Sequence, residues 1–268
     1  MERIKQLYVD SRYKTSNSIS NSDFKFELKE TLDLPDNTVC YIDDISIPHS
    51  WWSVENNNKL YVETQSNYTI FVVPSGNYTG VSLASALQTL LQTRFAGQNF
   101  QCVYQPSKGS VTITSDISFR ILPDTFPDNI MSVSWTDVNG NPVSRPNYAN
   151  LQSANDVLRH TVLHEMATSY ESEFIDLMTT HNIYLHSPNL GHFNSLGVRG
   201  ENTIIIKNPV SSNFGYMILD SVVAPHDKID CSKQLLKTVQ FTLKNVHGNV
   251  IDLHGGHVSF SMIFQTIE

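Results

Sequence analysis

Only one stretch of this chain repeats its apolar residues at a helical spacing. Almost everything else that repeats does so every second residue. In TGVSLASALQTLLQTRFAG, Leu83, Leu87, Leu90, Leu91 and Phe95 fall on one helical face. That predicts a helix which Thr79 or Ser82 can cap and Gly97 can end. The other ordered runs are short and rich in β-branched and aromatic residues. They are FKFEL (Phe24 to Leu28), Val39 to Ile47, KLYVE (Lys59 to Glu63), YTIFVV (Tyr68 to Val73), and FQCVY, SVTITS and SFRIL between Phe100 and Leu122. Later come NIYLH (Asn182 to His186), TIIIK (Thr203 to Lys207), YMILD (Tyr216 to Asp220), TVQFTL (Thr238 to Leu243) and VSFSMIF (Val258 to Phe264), with Glu171–Ile175 a further candidate. Turn clusters such as Leu-Pro-Asp-Asn at 34–37, Asn-Asn-Asn at 56–58 and Pro-Ser-Gly-Asn at 74–77 separate them. Many short strands with turns between them predict an all-β sandwich or barrel.

The helix is set among strands, so residues from about 55 to 122 read as a strand–strand–helix–strand–strand unit able to bury a modest core of its own. From Pro123 to about Asn155 the periodicity is lost among Pro123, Pro127, Pro142, Pro146 and the turn VNGNP, which predicts an irregular, exposed excursion. A short helix is expected around Ser153 to His164.

The stretch CYIDDISIPHSWW, Cys40 to Trp52, places two carboxylates, a histidine and two tryptophans together. In a strand, adjacent Asp43 and Asp44 look to opposite faces, a poor geometry for an acid/base pair. The alternation also breaks there: Ile42 shares parity with Cys40, whereas Ile45 and Ile47 share parity with Tyr41. Either a bulge at Asp43–Asp44 restores the phase, or the strand is buried on both faces and each aspartate needs a partner. Pro48 ends the strand. Trp51 and Trp52 then read as corner or interface packing, and Trp135 joins them as a candidate for such packing.

Charged residues make up only 16% of the chain against 40% hydrophobic. A soluble monomer is usually laced with charge, so a surface of Ser, Asn, Thr and Tyr suggests that neighbours cover much of it. The net charge of −8 argues against non-specific nucleic-acid binding. The local exception is the N-terminal segment, where Glu2 and Asp10 dilute Arg3, Lys5, Arg12 and Lys14; it reads as a solvated arm that binds nucleic acid at most weakly. Cys40, Cys102 and Cys231 are far apart and odd in number, which fits reduced thiols rather than a disulfide scaffold. MERIKQLYVD lacks the apolar core of a signal peptide, and no apolar run approaches the length of a membrane span, so a cytosolic or nuclear setting without secretion is expected. The sequons at Asn67 and Asn77 are then coincidental.

Histidines are the remaining candidates for chemistry. His160 and His164 are four apart, as two metal ligands on a helix would be, but Thr168 stands where a zinc-protease motif needs its second histidine. In DLHGGHVSF, Asp252, His254 and His257 cluster, yet no glutamate follows before Glu268 to complete a cupin-like metal set; the other reading is a Gly-rich turn whose histidines bond to backbone. No P-loop, Rossmann fingerprint or Gly-x-Ser-x-Gly is present. Nothing pairs a nucleophile with a base, so no catalytic, cofactor or metal residue is assigned and an enzyme is not expected.

Four segments together carry a resemblance: VDSRYKTSNSISNSDFKFELKETLDLPDNTVCYIDDISIPHSWW, SGNYTGVSLASALQTLL, HNIYLHSPNL and VIDLHGGHVSFSMIF. In their order they resemble the minor capsid, or penton, proteins of Polinton-type elements, adintoviruses and virophages, in the adenovirus-like lineage of double-stranded DNA viruses. The resemblance implies a single jelly-roll β-sandwich, residues 1–50 and 161–268, with a small α+β insertion domain at 51–160. It implies a homopentamer at the icosahedral fivefold vertices, set among capsomers of a double-jelly-roll major capsid protein. By analogy the insertion faces a spike or host receptor and the N-terminal arm runs along the inner capsid surface. Competing expectations are a glycan- or receptor-binding β-sandwich, with the tryptophans lining a groove, and a cement or trimeric capsid subunit. A further rival is a cupin-like metal enzyme using His254 and His257.

Overall fold

The computed structural model describes residues 4–65, 67–124, 133–144, 153–190, 196–223 and 227–267. The chain divides into two compact units, Met1–Trp51 with Thr180–Glu268, and Trp52–Thr179. The first unit opens with β1 (Ile4–Asp10), β2 (Asp23–Asp33) and β3 (Thr38–Pro48). The second holds β4 (Lys59–Thr64), β5 (Asn67–Val72), α1 (Gly80–Arg94), β6 (Gln101–Gln105), β7 (Ser110–Ile121), β8 (Trp135–Thr136), β9 (Pro142–Val143), α2 (Asn155–Leu158) and β10 (Ala167–Glu171). The first unit resumes with β11 (Asn182–His186), β12 (Ile204–Pro209), β13 (Met217–Asp220), β14 (Ile229–Asp230), β15 (Leu235–Lys244) and β16 (Ser259–Thr266).

Strand pairing in the first unit is nested. β1 pairs with β16, β2 with β15, β3 with β13, and β11 with β12, all antiparallel. The result is one sheet in the order β1-β16-β3-β13, with the short β14 beside β3, and a second in the order β12-β11-β15-β2. A long hairpin rolled up in this way is a jelly roll. The second unit is therefore inserted between the third and fourth jelly-roll strands. Phe24 and Phe241 meet at 5.7 Å in the second sheet, and Phe241 meets Phe260 of the first edge-on at 4.9 Å. These rings anchor one continuous apolar core between the sheets.

The phase break in β3 is a bulge. Ser261 of β16 pairs with Asp44, but Met262 pairs with Ile42, which leaves Asp43 unmatched. The extra residue brings Cys40, Ile42, Ile45 and Ile47 all to the core and turns both aspartates to solvent.

In the second unit the sheet runs β10-β7-β4-β5-β8-β9, with β6 also on β7. Helix α1 buries Leu83, Ala84, Leu87 and Leu91 against it. Both cap candidates act, in one reciprocal box: the Thr79 hydroxyl accepts from the Ser82 amide at 3.2 Å, and the Thr79 amide donates to Ser82 Oγ at 2.9 Å. The opposite face carries a smaller cluster of Tyr61, Leu122 and Trp135. β4 is thus buried on both sides, with Leu60 and Val62 toward the helix and Tyr61 and Glu63 toward the second cluster.

Several boundaries differ from expectation. The jelly roll resumes at Thr180 rather than at residue 161, because β10 pairs with β7 and so holds its segment in the insert. That strand is Ala167–Glu171 rather than Glu171–Ile175. SVTITS and SFRIL are one strand, β7. The stretch after Pro123 is not wholly irregular: β8 and β9 form a short hairpin, and β8 pairs with β5 in parallel. The expected 153–164 helix is a single turn ending at Leu158, because Arg159 adopts a left-handed conformation at φ 54°. The N-terminal segment is no free arm. Ile4–Asp10 is a jelly-roll strand.

Candidate assembly surfaces

Alternation along the strands assigns an outer face to each jelly-roll sheet. On the first sheet, Tyr8, Ser261 and Asp44 form one cross-strand row, and Asp10, Ser259, Ser46 and Leu219 the next. The middle of each row is serine, with Tyr8 at one end of the first row and Leu219 at the far end of the second. Tyr8 is 71% exposed, Tyr13 74% and Leu219 69%. Small residues between large ones make a trough, part of a cleft of about 570 Å³. Its polar rim is mainly acidic. The Ser261 amide donates to Asp44 Oδ1 at 2.8 Å, and the Ser261 hydroxyl also donates to it, so this carboxylate braces the bulge. Asp10 receives the Arg12 guanidinium through Nε at 3.0 Å, and that bonding, Arg12 first, holds its carboxyl below the ordinary range. Asp220, in register with the core residue Ile45, turns to the other side of the sheet and accepts from the buried Asn208 Nδ2 at 2.8 Å. Asp43, the bulged residue, is exposed.

The outer face of the second sheet is of opposite character. Tyr184 of β11 lies directly across from Lys244 of β15 on one side and Lys207 of β12 on the other. Among the described residues neither lysine has a carboxylate within ion-pair distance. Lys25 of β2, opposite Gln240 and four residues along β15 from Lys244, adds a further cation to this face. Asp23 on this face is occupied by Gln240 Nε2 and Thr242 Oγ1, and Glu27 faces Lys237 at 3.9 Å.

The tryptophans do not line a groove. Trp51 is 6% exposed, belongs to the jelly-roll core and stacks on His49 at 4.3 Å. Trp135 is 4% exposed and meets Tyr61 edge-on at 5.9 Å within the insert. Trp52 is half-buried.

His160 and His164 do not share a helix, but their rings stack at 5.4 Å. His160 Nε2 faces the Ile121 carbonyl at 2.9 Å and so carries the proton, while Nδ1 accepts from the Tyr170 hydroxyl at 3.2 Å. Both nitrogens are thereby used, and no lone pair is left for a metal. Burial lowers the pKa of His160. His254 sits in a turn at φ 46° with Nδ1 on the Ser50 carbonyl at 2.7 Å, the backbone-bonded arrangement of a Gly-rich turn. His257 is exposed. Of the N-terminal cations, Arg12 is held by Asp10, Lys14 donates to Asn21 at 2.6 Å and Lys5 lies in β1. Arg3 lies outside the described residues. Lys5 and Arg12 are exposed, and Lys14 keeps its charge beside a neutral partner.

All three cysteines are buried and free. Residues remote in sequence, Cys40 and Cys231, become neighbours because β14 pairs with β3. The Cys231 thiol and burial push the pKa of Cys40 well up, and burial raises Cys102 to about 12. The two sheet faces were not visible as sites in the sequence. Their residues are scattered from Tyr8 to Ser261, and only strand register brings them together.

Eight nested strands in two sheets, interrupted between the third and fourth by an α+β unit, define a single jelly-roll protein with an inserted domain. No protein-family model matches the chain, and no curated protein does. Among solved structures, the crystal structure of the mavirus penton protein matches with a TM-score of 0.52 at 10% identity, covering 99% of this chain and 100% of that one. At that identity the likeness is one of fold, and it agrees with the resemblance carried by the sequence segments.

Proposed function

We propose that this chain is a structural subunit of a viral capsid, a penton that forms pentamers at icosahedral fivefold vertices. The observation that carries the reading is the end-to-end likeness to the mavirus penton protein, in which neither chain leaves a large segment unmatched. The low charge content and the exposed apolar residues on the first jelly-roll sheet, Tyr8 and Leu219 among them, support it, since a ring subunit covers its flanks with copies of itself. On this reading the protein works by self-assembly and not by catalysis. Its partners are its own copies and the surrounding major capsid protein, and it resides in the virion. The insertion domain, residues 51–160 as read from sequence and extended here to Thr179, is the part offered to a spike or host receptor. The burial of Trp51 and Trp135 weighs against a glycan-binding groove built on those rings.

Light scattering on a sizing column tests the reading. A species near five times 30.2 kDa is expected. A trimer would redirect the assignment to another capsid or attachment role.

A further inference from the structure

We infer that the two outer faces of the jelly roll are the two halves of one contact between copies of this chain. The cationic row Lys207–Tyr184–Lys244 of one copy seats on the acidic trough between Tyr8 and Leu219 of the next. This inference rests on the assembly reading above and specifies the surface that would make it. Three properties carry it. The faces are complementary in charge, lysines without carboxylate partners on one and the exposed Asp43 and Asp44 on the other, in a protein that is acidic as a whole. They differ in relief, a half-buried Tyr184 between two lysines on one and a serine-floored trough on the other. They are also different faces of the same unit, so their contact is head-to-tail. Such a contact closes into a ring when the rotation per subunit permits and runs on as a filament when it does not. The exposed walls, Tyr8, Tyr13 and Leu219, supply the apolar area that charge alone does not.

Charge reversal on each face, separately and together, tests this. Lys207→Glu with Lys244→Glu reverses one face. Asp43→Lys with Ser221→Lys makes the other cationic and spares both the Leu219 wall and Asp44, which braces the bulge. All four positions are surface sites, and circular dichroism and thermal melts check that each variant folds. Sedimentation velocity over a concentration series, at low and high salt, reads the association. The wild type is expected to associate more weakly at high salt. Each two-site variant should raise the midpoint concentration about a hundredfold, and the four-site variant should recover to within about tenfold of wild type, its polarity exchanged. A wild type that stays monomeric at every concentration, or a four-site variant that fails to recover, overturns the pairing. A ring of five that ignores both reversals overturns the pairing and leaves the vertex reading standing. A reversal-sensitive trimer supports the pairing and overturns the vertex reading.

Discussion

The second face of the insert's sheet offers a quantitative test of how that unit is held together. Strand register puts Arg120, Glu63, Tyr68 and Trp135 in a single cross-strand row over β7, β4, β5 and β8. Arg120 Nε donates to Glu63 Oε2 at 2.6 Å, and the Tyr68 hydroxyl donates to Oε1 at 3.0 Å. The side chains are 20% and 11% exposed at Arg120 and Glu63, so the pair is largely withdrawn from water. Arg120→Met keeps the aliphatic stem and deletes the guanidinium, which leaves a mostly buried carboxylate supported by one hydroxyl. Breaking a buried pair from one side costs about 3–5 kcal/mol, because the remaining charge is uncompensated. The surviving Tyr68 bond and the residual exposure place the cost at the low end, about 3 kcal/mol. For a unit of this size, with roughly 4 °C lost per kcal/mol, the insert's Tm falls by about 12 °C. Adding Glu63→Leu removes the stranded charge and should restore stability to within about 1 kcal/mol of wild type. Trp135 sits in the same row, so fluorine NMR of fluorotryptophan-labelled protein follows this unit specifically. A loss below about 4 °C for Arg120→Met, or a double variant as unstable as the single one, would refute the account of the row as a closed ion pair.

Other expectations follow from single contacts. His160 and His186 both have pKa values lowered by burial, so the native state binds fewer protons than the unfolded chain below their ordinary value near 6.5. Their contribution is complete above that pH and is lost as pH falls through it; Tm should drop by several degrees between about pH 7.5 and about pH 5.5, and His160→Gln should flatten the slope. Gly80→Ala would place a Cβ 2.5 Å from the Tyr104 ring, so a net loss of about 1–2 kcal/mol in denaturant melts is expected despite alanine's better helix propensity. Thr79→Ala removes one half of the capping box and should cost about 1 kcal/mol by the same measurement. Buried thiols react slowly, so none of the three cysteines should be labelled by a disulfide reagent near neutral pH until the protein is unfolded. Labelling of the native protein at a rate near that of a free thiol would contradict their burial.

What the residues disclosed and what they withheld divide along the range of the forces involved. The Asp43 bulge was legible because a two-residue period broke within a single strand. Helix α1 was legible because its apolar period and its Thr79–Ser82 caps are local. The end of the short helix at Arg159 was missed, because a left-handed residue there is imposed by its surroundings and not by its type. The return point at Thr180 was missed for a similar reason: only the pairing of β10 with β7, strands some fifty residues apart, assigns that segment to the insert. The histidine pair misled because i and i+4 spacing means a shared face only on a helix, and the backbone at His160 is not helical. The two outer faces are the extreme case. Tyr8, Asp44, Leu219 and Ser259 are ordinary surface residues until register aligns them.

The place of β16 has a consequence for how the protein is made. It lies between β1 and β3, so the first sheet has a strand-wide gap until the last of its strands has emerged. Strands synthesised early must wait, with their backbone hydrogen-bonding groups unsatisfied by their final neighbour, while the whole insert is made and folds on its own core. The trough is floored in part by Ser259 and Ser261, which arrive on that same final strand. A nascent or truncated chain therefore cannot present the acidic face. On the proposed assembly reading, copies would join only after β16 has been made, which would keep shorter nascent chains out of the assembly.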